Sequence, residues 1–121
     1  MLIPVPGPSL FFSSFFCLPR QCYPSFGPVV HIRIVDTESE ALHLANSSEY
    51  GLYASLFTTD GARALRCARA LENGLVGINQ GPPAFDLTLP FGGWRASGLG
   101  SEWGSEVLKE WTQTKAVSWR L

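Results

Sequence analysis

The side chains of this chain best suited to nucleophilic or metal chemistry are three cysteines and two histidines. A nucleophilic thiol or hydroxyl needs a base within hydrogen-bond reach, and a zinc site needs three or four clustered ligands. Cys17 and Cys22 have no nearby histidine or cysteine set that completes such a site. Cys67 falls on the apolar face of a helical stretch, where a thiol is normally inert packing. His31 lies on the polar side of an alternating stretch and His43 within a helical one. No catalytic residue, metal site or disulfide framework is therefore assigned. Gly98, Gly100 and Gly104 resemble a dinucleotide fingerprint, but its third glycine would fall at Trp103, and a loop precedes Gly98 where the motif needs a strand.

The elements that must position these residues follow from periodicity. Val30, Ile32 and Ile34 alternate with His31 and Arg33, a strand pattern that Asp36 ends. Thr37 and Glu40 form a capping-box pair, which predicts a helix with Ala41, Leu44 and Ala45 as its buried stripe and Gly51 as its stop. A second strand is expected over Leu52 to Thr58. Asp60 should then cap a helix carrying Ala64, Cys67, Ala68 and Leu71 on one face, closed by Gly74. Leu75 to Asn79 completes an alternation of strands and helices, so the fold expected is α/β: a partial parallel sheet with covering helices and right-handed crossovers.

After Asn79 comes a long Gly/Pro loop with no regular element expected, then a short helix from Ser105 to Trp111 with Val107, Leu108 and Trp111 on one side. Ala116 to Leu121 closes the chain as a strand with Val117, Trp119 and Leu121 on one face. Without a partner inside the chain, that strand is expected to pair with another subunit.

The first residues differ in kind. Six of the nine prolines lie in residues 1–28, and Arg20 is the only charged side chain there. Residues 1–25 are expected to be irregular, and the apolar run Leu10 to Phe16 is too short to span a bilayer. No Lys or Arg precedes that run, as a secretory leader would require. A formal charge of -1 with mixed signs offers no footprint for nucleic acid or an anionic membrane. At 121 residues, one domain is the ceiling.

Five short motifs occur in order: Phe26-Gly27-Pro28-Val29-Val30, Glu49-Tyr50-Gly51-Leu52, Gly77-Ile78-Asn79, Pro90-Phe91-Gly92-Gly93 and Ser97-Gly98-Leu99-Gly100. With Trp111-Thr112, Lys115 and Val117, which resemble a closing YTxxKxV segment, residues 26–121 resemble the C-terminal part of the aldehyde dehydrogenase family. The resemblance implies a parent reaction that oxidises an aldehyde to a carboxylic acid, with a cysteine nucleophile, a glutamate base and NAD or NADP. It also implies that Phe26 meets the nicotinamide end of the cofactor, that Phe85 and Phe91 line the substrate tunnel, and that Val117, Trp119 and Leu121 belong to an oligomerisation strand.

The departures are as informative. Pro24 stands where the family's E-x-F-G-P stretch has a glutamate that holds a ribose, and Ser101 and Gln113 stand where some members place an arginine and a glutamate. The nucleophile, the base and the Rossmann glycine loop lie upstream of Phe26 in the family and have no match here. The chain is thus expected to be a truncated, NAD(P)-dependent aldehyde dehydrogenase, inactive alone and binding no cofactor itself, cytoplasmic, forming homo-oligomers or hetero-oligomers with full-length relatives. The alternative is a non-catalytic interaction protein that pairs with full-length subunits.

Overall fold

The computed structural model describes residues 32–81 and 86–120, and the backbone of 11–14. Phe26, Phe85, Leu121, Cys17, Cys22 and His31 lie outside the described residues.

A three-stranded sheet carries the body. Strand β1 (Phe11–Ser14), helix α1 (Glu38–Asn46), strand β2 (Tyr50–Gly51), strand β3 (Tyr53–Phe57), helix α2 (Gly61–Ala70) and strand β4 (Leu75–Ile78) follow in chain order. Strand β5 (Trp94–Arg95) and helix α3 (Val107–Glu110) complete it. The sheet order is β1-β3-β4, and β2 pairs with β5 in a separate antiparallel ribbon. The expected parallel unit is β3-α2-β4, with Tyr53 opposite Leu75 and Leu56 opposite Ile78.

The core is built largely from small side chains. Val35, Ala41, Ala45, Ala54, Leu56, Ala64, Cys67 and Leu71 are all buried in one cluster. Alanine stripes on both helices let them approach the sheet closely, and Leu56 in the central strand fills the space that remains. Asp60 Oδ1 accepts from the N–H groups of Ala62 and Arg63 at 2.9 and 3.1 Å, satisfying two of the donors that the first turn of α2 leaves open.

Several expectations are corrected. The capping box of α1 is displaced: Thr37 Oγ1 accepts from Glu40 N as expected, but Glu40 reaches back to the N–H of Asp36, one residue earlier. Within the described part of the Val30–Ile34 strand only a bridge at Ile32 remains. Ile34 is 78% exposed, and the buried position falls at Val35, where the chain turns into the α1 cap. Gly51 does not stop α1. The helix ends at Asn46 with Ser47 as its cap, and Gly51 pairs with Trp94 in the ribbon. Gly74 does not close α2 either. The helix ends at Ala70, and Gly74 is glycine because an added Cβ would lie 1.6 Å from the carbonyl oxygen of Gly92.

Residues 11–14, expected to be irregular, form a strand antiparallel to β3, so the sheet is mixed rather than parallel. The run between Pro8 and Pro19 is free of proline and rich in phenylalanine, which suits a strand, and the edge of β3 supplies the ladder. The long loop contains β5, and α3 is shorter than expected, with no buried residue. Leu108 and Trp111 are exposed rather than packed. Residues 112–120 carry no ladder among the described residues, and Val117 and Trp119 are 81% and 84% exposed. A strand exists only through its hydrogen-bonded neighbour, and this segment has none among the described residues. No helix among the described residues is long and apolar enough to cross a membrane.

Candidate functional site

The carboxyl ends of β3 and β4 lie together, the place where open α/β sheets receive ligands. Asn79 ends β4 there. Its N–H still donates to Leu56 O at 2.7 Å, but its backbone takes φ 55°, a left-handed conformation that asparagine tolerates better than most residues. Its side-chain amide then binds the backbone of Thr58 at two points. The chain is thereby turned away from the sheet without leaving the last ladder position unpaired.

Tyr53 holds the next step. Its hydroxyl donates to the carbonyl of Gly81 and accepts from Ser55 Oγ at 3.3 Å. The phenol lies over Gly77, where an added Cβ would come within 2.1 Å of the hydroxyl oxygen. The loop resumes in a tight turn, in which Asp86 Oδ1 accepts from the hydroxyl and N–H of Thr88, and these bonds lower the Asp86 pKa.

Residues 91–104 then close on themselves. Phe91 and Glu102 exchange two backbone hydrogen bonds of 2.7 Å each, and the Phe91 ring lies on Trp103 with centroids 5.0 Å apart. Trp103, Gly98, Gly100 and Gly104 all have positive φ. The glycines that resemble a nucleotide fingerprint therefore serve turns, and only the four-residue α3 follows them. Gly51 N–H donates to Ser97 Oγ at 2.9 Å, tying this loop to the ribbon.

Arg95 anchors the assembly. Its guanidinium donates to the carbonyls of Asn46, Glu72 and Tyr50 at 2.7, 3.1 and 3.3 Å, and Nη1 lies 3.4 Å from Glu72 Oε2. Asn46 acts beside it, donating to Ala70 O at 2.8 Å and accepting from Glu72 N at 3.0 Å. The end of α1, the end of α2 and the ribbon thus meet at two polar side chains. Neither was singled out by sequence. The sign that could have marked Arg95 is an arginine directly after a Gly-Gly-Trp turn, where its carbonyl-binding fork can reach back.

Between this loop and α3 lies an open groove of about 430 Å³, lined among others by Leu52, Phe91, Gly100, Glu102, Glu110 and Trp111. Phe91, expected in the substrate tunnel, contributes to it, with its ring partly engaged by Trp103. Phe85, expected beside it, lies outside the described residues, as does Phe26. Val117 and Trp119 are solvent-facing and distant in role from the groove, which they do not line. The groove wall offers glycine backbone, the serines Ser97 and Ser101, apolar side chains and two carboxylates, with no lysine or arginine and no helix N-terminus. That donor set does not fit the pyrophosphate of a dinucleotide, which needs convergent N–H groups at a helix N-terminus or a cationic side chain.

The free cysteine among the described residues is Cys67. It is fully buried in α2, and burial pushes its thiol up to about 11. Near it, Glu38 bridges the two helices: Arg66 donates to both carboxylate oxygens at 2.8 and 2.9 Å, and Arg63 donates at 2.8 Å. These bonds, Arg66's first, lower the Glu38 carboxyl to about 2. No cluster of three metal-ligating side chains occurs among the described residues.

Comparison with known proteins matches this arrangement. The aldehyde dehydrogenase family model matches residues 19–117. A succinate-semialdehyde dehydrogenase of Paenarthrobacter nicotinovorans is 47% identical over 92 residues, covering 76% of this chain and 20% of its own length. A geranial dehydrogenase of Castellaniella defragrans is 45% identical over 92 residues, again 76% of this chain and 19% of its own length. In structure, the NAD+ complex of an aldehyde dehydrogenase from Bacillus cereus superposes with a TM-score of 0.73 at 38% identity, over 76% of this chain and 18% of that one. The chain spans about a fifth of the length of these relatives. With the β3-α2-β4 unit and the closed glycine loop both inside the matched stretch, the chain belongs to the aldehyde dehydrogenase family.

Proposed function

We propose that residues 26–121 are the C-terminal part of an NAD(P)-dependent aldehyde dehydrogenase whose parent reaction oxidises an aldehyde to a carboxylic acid, and that the chain turns over no aldehyde alone. The family match supports the first part, and among the described residues the observation that supports the second is the state of Cys67. A thiol buried in α2 and raised to about 11 is neither ionised nor reachable, so it cannot attack a carbonyl. In the parent, Phe91 and Phe85 would belong to the aldehyde-binding side and Phe26 to the nicotinamide side. NAD or NADP is the cofactor of that parent, and the groove chemistry of this chain does not supply its phosphate contacts. Incubating the purified full chain with NAD+ and, separately, NADP+ and a panel of aldehydes tests the reading. The expected result is no reduced nucleotide above a protein-free control. Turnover that survives Cys67→Ala and is lost on replacing Cys17 or Cys22 would overturn it.

A second reading is favoured by one observation: Trp111, Val117 and Trp119 are largely exposed at the end of the chain. We infer that Val117, Trp119 and Leu121 form a strand on a neighbouring subunit, so that the chain assembles with itself or with full-length relatives, in the cytoplasm. Burial of one aromatic and two aliphatic side chains is worth about 5 kcal/mol before ordering costs. Co-purification with a full-length relative, lost on removing residues 116–121, supports it. Equal recovery of the relative with and without those residues counts against it.

A further inference from the structure

Strand β1 lies ahead of the stretch that matches the family, yet it occupies one edge of the central strand. It runs antiparallel to β3, whose other edge is filled in parallel by β4. The direction of each hydrogen bond follows from the far ladder. Leu75 N–H donates to Leu52 O, and Asn79 N–H to Leu56 O, so Leu52, Ala54 and Leu56 turn their backbone groups toward β4. Successive residues of a strand present these groups to opposite edges, so Ser55 and Phe57 present theirs to β1. In the observed register, Ser13 opposite Ser55 and Phe11 opposite Phe57 are therefore the hydrogen-bonded pairs. Phe12 opposite Leu56 and Ser14 opposite Ala54 are the pairs between them.

We propose that the edge of β3 opposite β4 is a strand-accepting interaction surface, that residues 11–14 occupy it within the chain, and that on their release it takes up the same segment of a second copy. An antiparallel acceptor requires no crossover connection, so any extended segment of suitable length can add to it. The segment of a second copy meets the register by identity of sequence. Only two hydrogen-bonded pairs hold β1, so the ladder is short enough to open. Residues 15–31, which join it to Ile32, are seventeen in number and reach up to about 55 Å when extended, so chain length does not confine β1 to its own sheet. An unoccupied edge would otherwise be a template for uncontrolled pairing, and β1 blunts it.

The register gives a sharp test in the full chain. Ser13→Pro removes an N–H that points at β3, whereas Phe12→Pro removes one that points away from it. Residue-resolved amide exchange should show the Ser55 and Phe57 amides about tenfold faster in the Ser13→Pro chain, with Leu56 and Asn79 unchanged. Because every copy of that chain carries the same damaged segment, sedimentation velocity at raised concentration should show it associating less than the unaltered chain, and the Phe12→Pro chain should match the unaltered chain in both measurements. Equal effects of the two prolines, unaltered Ser55 and Phe57 amides, or association of the Ser13→Pro chain equal to that of the unaltered chain would overturn the proposal. If Leu56 and Asn79 also lose protection, the sheet itself has opened. A synthetic peptide of residues 9–16 titrated into the unaltered chain then decides: shifts at the Ser55 and Phe57 amides support the proposal, and an unchanged spectrum overturns it.

Discussion

Asn79 does for Thr58 what a neighbouring strand would do: its Oδ1 accepts from Thr58 N at 2.8 Å and its Nδ2 donates to Thr58 O at 2.9 Å. One side chain thus finishes the ladder for a residue that is buried and past the end of β3.

Replacing Asn79 therefore removes more than a polar contact. Asn79→Ala leaves both Thr58 groups unpaired and forces a β-carbon residue with no local hydrogen bond into φ 55°. The expected loss is about 2–3 kcal/mol in urea unfolding. Asn79→Asp keeps the acceptor but sets a carboxylate against the Thr58 carbonyl, and should be at least as harmful at pH 7 as at pH 3. A loss below about 0.5 kcal/mol for Asn79→Ala would show that water replaces the amide fully.

Glu38 should make stability depend on acidity. Its carboxyl is lowered from 4.5 to about 2 by Arg66 and Arg63, so the folded state binds that proton less readily than the unfolded chain. The stabilisation is fully present above about 4.5 and is lost as pH falls toward 2. Because Arg66 is more than half exposed, solvent screening reduces the contribution to about 1 kcal/mol. Glu38→Gln should lower the melting temperature at pH 7 and flatten its slope between pH 5 and pH 2. An unchanged slope would assign the acid response to other carboxylates.

Cys67 should resist modification in the folded chain. Iodoacetamide at pH 8 followed by peptide mass analysis is expected to leave it unlabelled in buffer and label it fully in urea. Cys67→Ser should destabilise more than Cys67→Ala, since the hydroxyl gains a polar group in an apolar cluster, at a cost of about 1–3 kcal/mol. Rapid labelling of the native chain would mean that α2 opens locally far more often than its burial indicates.

Arg95 should not be replaceable by lysine. An ammonium cannot span the carbonyls of Asn46, Glu72 and Tyr50 in one plane, so Arg95→Lys is expected to cost about 1–3 kcal/mol. Amide exchange should rise first at Ala96, whose N–H donates to Glu49 O in the ribbon. Protection there equal to that of the unaltered chain would reduce Arg95 to a surface charge.

What was legible in the sequence follows the two regular periods. Helices α1 and α2 declared themselves through Thr37, Asp60 and their alanine stripes, and β3 and β4 through apolar runs flanking α2, because burial and capping are local in pattern. Strand β1 and the β2–β5 ribbon were missed because two- and four-residue strands owe their existence to distant partners. The helix stops assigned to Gly51 and Gly74 failed for a related reason. Both are glycine because another stretch of backbone presses on them, Glu72 on the first and Gly92 on the second. In the candidate site, the Phe91 of the Pro-Phe-Gly-Gly motif lines the groove, whereas Arg95 and Trp103 adopt left-handed backbone conformations that their residue types do not advertise.

The carbonyls that Arg95 grips also set an order of events. Asn46 precedes it by 49 residues, Tyr50 by 45 and Glu72 by 23. During synthesis, all three acceptors emerge before the guanidinium that joins them. Contacts so distant in sequence carry the entropy of closing the intervening chain, and they form readily only once the acceptors are already side by side. Helices α1 and α2 must therefore have docked on β3 before the clamp closes. The glycine loop inherits its shape from a body assembled without it, and refolding followed at Trp94 should lag behind refolding followed by helical signal.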